Sequence, residues 1–127
     1  MPLARIDLAT GKPDAYRRAI GDVVYEAIVA ALGAPEGDRF QIVTEHPAAE
    51  LTFDRSYLGV HRTDDCVFIQ LTLNAGRSLE QKRAFYSRVA DGLHERLGLA
   101  RGDVFISLVE VARENWSFGD GVAQYAP

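Results

Sequence analysis

Two rhythms of apolar residues alternate along the chain. In Leu3–Leu8, the residues Ala4, Ile6 and Leu8 fall on every second position, the period of a strand with one buried face. From Tyr16 the spacing changes. Tyr16, Ile20, Val23, Ala27, Ile28, Ala31 and Leu32 step by three and four, the stripe of an amphipathic helix. Gly11 and Pro13 turn the chain into that helix, and Gly33 supplies the left-handed residue that ends one cheaply. A short loop leads to a strand over Phe40–Thr44. The same order then returns. Cys66–Leu73 is a nearly continuous apolar run, which predicts a strand covered on both faces. Ser78 followed by Gln81 predicts a capping box. Phe85, Val89, Leu93 and Leu97 line the next helix, Gly98 closes it, and Val104–Val109 is the last strand.

This return is a true repeat. Shifted by 65 residues, 2–45 aligns with 67–110 without a gap, and the matches include Leu8/Leu73, Gly11/Gly76, Arg18/Arg83, Val24/Val89, Gly33/Gly98, Asp38/Asp103 and Phe40/Phe105. Two strands joined through a helix run parallel, with a right-handed crossover. Two such units predict an α+β, two-layer fold, in which tandem β-α-β units form a four-stranded mixed sheet with both helices on one face. The other face then needs a cover that one chain does not provide, and self-association is the economical source. Residues 46–65 read as a polar connector with weak strand potential near Leu51–Phe53. The tail, 115–127, sets Trp116, Phe118 and Tyr125 around Gly119-Asp120-Gly121, a segment expected to dock on this chain or on a neighbour.

Length and composition narrow the class. The 127 residues are expected to form a single domain, and 47% hydrophobic residues suffice for a core without disulfides or a structural metal. A net charge of −4 argues against nucleic-acid binding, and the absence of a polybasic block argues against an anionic membrane surface. The apolar runs are short of a membrane span, and Arg5 and Asp7 interrupt any signal-like start, so a cytoplasmic location is expected. Cys66 is the single cysteine, which excludes an intrachain disulfide, and His46, His61 and His94 lack ligand spacing. No metal and no cofactor is expected.

The candidate chemistry begins at Pro2. Methionine before a small residue such as proline is commonly removed, which would leave a secondary amine at the chain's start. Such an amine titrates near neutrality, at about 7.7–8.0 for a reference terminus, and serves as acid, base or nucleophile according to its surroundings. Met-Pro alone also fits a proline that merely follows an initiator. Arg77, just before Ser78, is placed to grip a carboxylate, and nearby helix N–H groups favour the same anion. It fits an exposed loop arginine as well. Trp116, Phe118 and Tyr125 suit either an apolar wall or plain packing. Tyr25 reads as structural, and Arg39 as a tie for the loop around Asp38.

With Met-Pro-Leu opening a strand on this duplicated unit, the chain resembles the tautomerase superfamily. Gly37-Asp38-Arg39-Phe40-Gln41, Ala75-Gly76-Arg77-Ser78, Glu80-Gln81-Lys82 and Asn115-Trp116-Ser117-Phe118-Gly119 resemble its malonate semialdehyde decarboxylase branch. The resemblance implies a cofactor-free lyase working as a homotrimer on a small carboxylate substrate, with Pro2, Asp38 and Arg77 catalytic. It assigns substrate contact to Arg77, Trp116, Phe118 and Tyr125. Asp38 would be the carboxylate beside the catalytic proline, holding its amine protonated or orienting a water for hydratase chemistry. Many relatives carry a second arginine in the Arg77 loop, where this chain has Ala75. The alternatives are a keto–enol tautomerase of 2-oxo acids and a non-catalytic oligomeric binding protein.

Overall fold

The structure, a computed structural model, describes residues 2–127; Met1, and with it the expected processing step, lies outside the described residues. The chain forms β1 (Leu3–Ala9), α1 (Asp14–Leu32), β2 (Phe40–His46), β3 (Val67–Asn74), α2 (Leu79–Leu97) and β4 (Val104–Val111). They build a four-stranded sheet in the order β2-β1-β3-β4. Within each unit the strands are parallel, and β1 and β3 meet antiparallel in the centre. The sheet is therefore the mixed, two-helix layer that the duplicated pattern predicts.

Register makes the duplication exact in space. Leu3 pairs with Phe40 and, in the second unit, Phe68 pairs with Phe105. At the seam Arg5 faces Gln70, its own counterpart, so a pseudo-twofold axis passes through that pair. Pro13 precedes α1, and Ser78 and Gln81 close a full capping box on α2. Gly33 and Gly98 end the helices at φ 69° and 67°, where a side chain would be strained. Correspondence continues beyond 45 and 110: a 3-10 turn at Ala48–Glu50 is repeated at Arg113–Asn115. Thr10 N–H donates to His46 O, as Ala75 N–H donates to Val111 O.

The core lies between the helices and one sheet face. Ala4, Ile6, Leu8, Val67, Ile69, Leu71 and Leu73 meet Ile20, Val24, Ile28, Phe85, Val89 and Leu93 there. Val23 so closely overlies Gly92 that a Cβ on the glycine would lie 2.8 Å from Val23 Cγ1. Cys66 is buried, and desolvation, then the charge of Asp103, push its thiol up to about 11, so it packs as a neutral group.

Three expectations change. β3 is not covered on both faces within the chain: Val67, Ile69, Leu71 and Leu73 are buried, while Phe68, Gln70, Thr72 and Asn74 alternate onto the open side. Strand pairing continues to His46 and Val111, past the expected ends at Thr44 and Val109, because polar side chains cost little at the edge strands. Leu51–Phe53 forms no strand. Pro47 starts a 3-10 turn, and Phe53 docks through its ring, edge-on to Phe68 at 5.5 Å.

The open face presents Phe40 (49% exposed), Ile42 (44%) and Phe105 (45%). Asp103, by contrast, is 1% exposed and accepts hydrogen bonds from Thr63 N and Thr63 Oγ1, each at 2.6 Å. Asp103→Ala removes both acceptors and leaves a part-buried N–H without its partner. It is expected to lower unfolding stability by about 2–3 kcal/mol, read from urea denaturation.

Candidate active site

The central seam decides where the chain starts. Leu3 lies opposite Thr72, so Pro2 sits at the end of the sheet where β3 runs out into Ala75-Gly76-Arg77. Leu3 also pairs with Phe40, so Pro2 and Asp38-Arg39 enter neighbouring strands at that same end. Pro2 is buried. It lines an apolar cavity of about 240 Å³ with Leu3, Phe40, Trp116, Ser117 and Phe118.

The loop carrying Asp38 is tied to α1. Gly37 N–H donates to Tyr25 Oη at 2.9 Å. Arg39 lies 5.0 Å over the Tyr25 ring and donates to Asp22 Oδ1 at 2.8 Å, while Gln41 donates to Gly21 O. Tyr25 and Arg39 therefore have the structural parts their positions suggest. Asp38 is 8% exposed and enters neither cavity wall. Its counterpart, Asp103, holds Thr63 in the segment leading into β3. The same position in the first unit is that of Asp38, which leads into β2 beside the Pro2 end of β1.

The aromatic tail docks on its own chain. Trp116 and Phe118 stack at 5.4 Å with 13° between their planes, Phe118 meets Tyr125 edge-on at 5.2 Å, and Phe40 approaches Phe118 at 6.2 Å. Trp116 Nε1 donates to Asn74 Oδ1 at 2.8 Å. Gln124 folds the tail back, accepting from Phe118 N–H and donating to Gly119 O.

On the far side of this stack lies a basic cavity of about 370 Å³, lined by Asn74, Ala75, Gly76, Arg77, Gln81, Arg113 and Tyr125. Arg77 donates from Nε to Leu32 O at 3.2 Å and from Nη1 to Asn74 O at 3.1 Å. Two of its three nitrogens thus serve the protein, and the guanidinium is a fixed positive charge rather than an open fork. Lys82 pairs with Glu110. Lys82, then the Gly76 N–H and Arg77, hold the Glu110 carboxyl below its usual range.

The structure thus gathers Pro2, Trp116 and Phe118 around one cavity, and Arg77 and Tyr125 around its neighbour. Phe40, Asn74, Ser117 and Arg113 join them unpredicted as site residues. Phe40 and Ser117 lay inside the distinctive segments, so those segments carried a usable signal. Asn74 and Arg113 carried none.

Pro2 thus lies buried on an apolar cavity, at the same end of the sheet as a guanidinium-lined one. Two family models, each described as a tautomerase enzyme, match residues 38–119 and 2–59. The chain belongs to the tautomerase family. "Probable tautomerase YusQ" of Bacillus subtilis (strain 168) is 36% identical over 124 residues, 98% of each chain. A solved malonate semialdehyde decarboxylase, described with decarboxylase and hydratase activities, matches with TM-score 0.90 and 34% identity over 97% of this chain and 95% of that one. FG41 malonate semialdehyde decarboxylase, inhibited by 3-bromopropiolate, matches with TM-score 0.90 and 40% identity, covering 97% and 93%.

Trp116 is the single tryptophan and reports directly on tail docking. Asn74→Ala removes its acceptor, and the expected result is a red-shifted, more quenchable fluorescence emission with the helical circular dichroism unchanged.

Proposed function

We propose that the chain, once Met1 is removed, is a cofactor-free decarboxylase of a small 3-oxo acid such as malonate semialdehyde. The observation that carries this reading is that Pro2's apolar cavity and the basic cavity lie at one end of the sheet, linked through the Phe118–Tyr125 contact. The likeness to two malonate semialdehyde decarboxylases supports it.

The chemistry follows from the division of the site. Arg77 holds the substrate carboxylate at the basic end. The protonated Pro2 nitrogen donates a hydrogen bond to the substrate carbonyl oxygen. As the C–C bond to the carboxylate breaks, its electron pair moves into the enolate that this hydrogen bond stabilises, and carbon dioxide leaves. A proton then returns to carbon and gives the aldehyde. A Schiff base between Pro2 and the aldehyde is the covalent form of the same electron sink. The walls of Phe40, Trp116 and Phe118 favour the neutral product over the anionic reactant. Asp38 keeps the amine charged, and a water oriented by Asp38 would add hydratase activity toward small unsaturated acids.

A likeness to a probable tautomerase favours a second reading, keto–enol transfer on a 2-oxo acid. That chemistry needs Pro2 neutral. The two readings have opposite signs with pH: activity that needs the ammonium falls as pH rises through the amine pKa, whereas base activity falls as pH drops through it. Processed protein is expected to decarboxylate malonate semialdehyde with the first profile. Pro2→Ala should lower kcat/KM by about 10²–10⁴-fold. Asp38→Asn should move the falling limb about one pH unit lower. Equal rates for wild type and Pro2→Ala on malonate semialdehyde and on phenylenolpyruvate would remove both readings.

Self-association belongs to the same proposal. Phe40, Ile42 and Phe105 lie on the uncovered sheet face, and a homotrimer would bury them. Ile42→Asp is expected to shift the protein toward monomer in sedimentation velocity, with its circular dichroism retained.

A further inference from the structure

We infer that Arg113 is a substrate-binding, specificity-determining residue: it supplies the open guanidinium fork of the basic cavity, beside the fixed charge of Arg77. This rests on the reading of the site as one for small carboxylates and deepens it.

The first observation is how differently the two arginines are held. Arg77 spends Nε and Nη1 on backbone carbonyls. Arg113 is exposed, and its guanidinium carbon lies 5.6 Å from the Tyr125 ring centroid, a cation–π contact that uses none of its N–H groups. Among the described residues, no carboxylate is ion-paired with Arg113. A planar guanidinium with no ion-paired carboxylate, on a cavity wall, matches a carboxylate's two oxygens.

The second observation is shared anchoring. Arg113 opens the 3-10 turn that leads into Trp116, and Asn115 N–H donates to Ala112 O within it. Trp116 is fastened to the Asn74 side chain, whose own main-chain carbonyl holds Arg77. One residue thereby sets both arginines around one space.

The third is an internal control, the matching cavity of the first unit. That cavity, of about 360 Å³, has Lys12 where the second unit has Arg77, and Ala48 where it has Arg113. Leu51 and Phe53 stand there for Trp116 and Phe118. Lys12 is neutralised by Asp65 at 3.0 Å, and Arg55 by Asp64 at 2.8 Å. The fold thus forms its turn with alanine at this position and needs no arginine there. Of these two matching cavities, the basic one has two guanidinium groups and neither is ion-paired among the described residues.

Two guanidinium groups suit an acid with a second oxygen function close to its carboxylate. Malonate, an unreactive dianion of that size, is therefore the probe, and propionate is its one-carboxylate comparison. Binding to processed, assembled protein is read by calorimetry and by Trp116 fluorescence. Wild type is expected to prefer malonate. Arg113→Ala should weaken malonate at least about 10-fold, erase most of the preference over propionate and leave the melting temperature unchanged. Arg113→Lys, which keeps charge but not the fork, should restore only part of the loss. In the decarboxylation assay, Arg113→Ala should raise KM about 10-fold with kcat within about threefold of wild type. Malonate affinity in Arg113→Ala equal to wild type overturns the inference. Full recovery in Arg113→Lys overturns the fork and reduces the residue to a point charge. If Pro2→Ala keeps full activity while Arg113→Ala loses malonate, the proposed reaction falls and the binding role stands.

Discussion

The antiparallel seam between β1 and β3 is the constraint on which the rest of the molecule depends. Each β-α-β unit has a sheet with a free edge and half a core, too little to persist alone. Pairing the inner strands around Arg5 and Gln70 closes the edge, joins the halves of the core and lets α1 and α2 pack together. It also sets the chemistry. Antiparallel pairing lays the chain's start against the exit of β3, bringing Pro2 and the loop of Arg77 to one end of the sheet from opposite halves of the sequence. A parallel seam would have put them at opposite ends.

The pseudo-twofold relation lets the molecule be compared with itself. Buried aspartates occupy equivalent places, and Asp103 shows what the fold asks of such a residue: it receives the Thr63 N–H and hydroxyl and fastens the strand entry. The Asp38 position leads instead into the strand beside the Pro2 end of β1. Cationic residues also stand at both loop ends, but Lys12 is closed by Asp65 while Arg77 is pinned to backbone carbonyls. Common architecture is thus distinguishable from what one half has added.

Much of this was legible in the sequence, for local reasons. The stripe of each helix, the Ser78/Gln81 box and the two terminal glycines are determined within a few residues, so spacing reveals them. The repeat revealed the topology because its matches fell on those punctuating positions. Sheet coverage was harder: in β3, Phe68 and Thr72 look like core residues by composition, yet they share the open face with Gln70. The correspondence of the connector with the tail was hidden, since only its backbone turn and the Phe53/Phe118 pair survive. Arg77 illustrates a different limit. Its position at a helix start was clear, but Leu32 O and Asn74 O, which claim its fork, come from distant backbone. Arg113 carried no signal of its own, since its place on a cavity wall near Tyr125 is set by the fold of the tail.

Val67 stands in the second unit where Pro2 stands in the first, and both are buried. The Val67 nitrogen is an amide whether or not Met1 is removed, because a covalent chain runs into it from Cys66. A side chain can be copied by duplication; a chain end cannot. On the proposed chemistry, two fused units would therefore hold half the reactive termini of the same units kept apart, whatever residues the second copy retains. Placing proline at 67 would not restore the missing group. Only breaking the backbone ahead of that residue would, which makes the count of active centres a matter of connectivity rather than of side-chain chemistry.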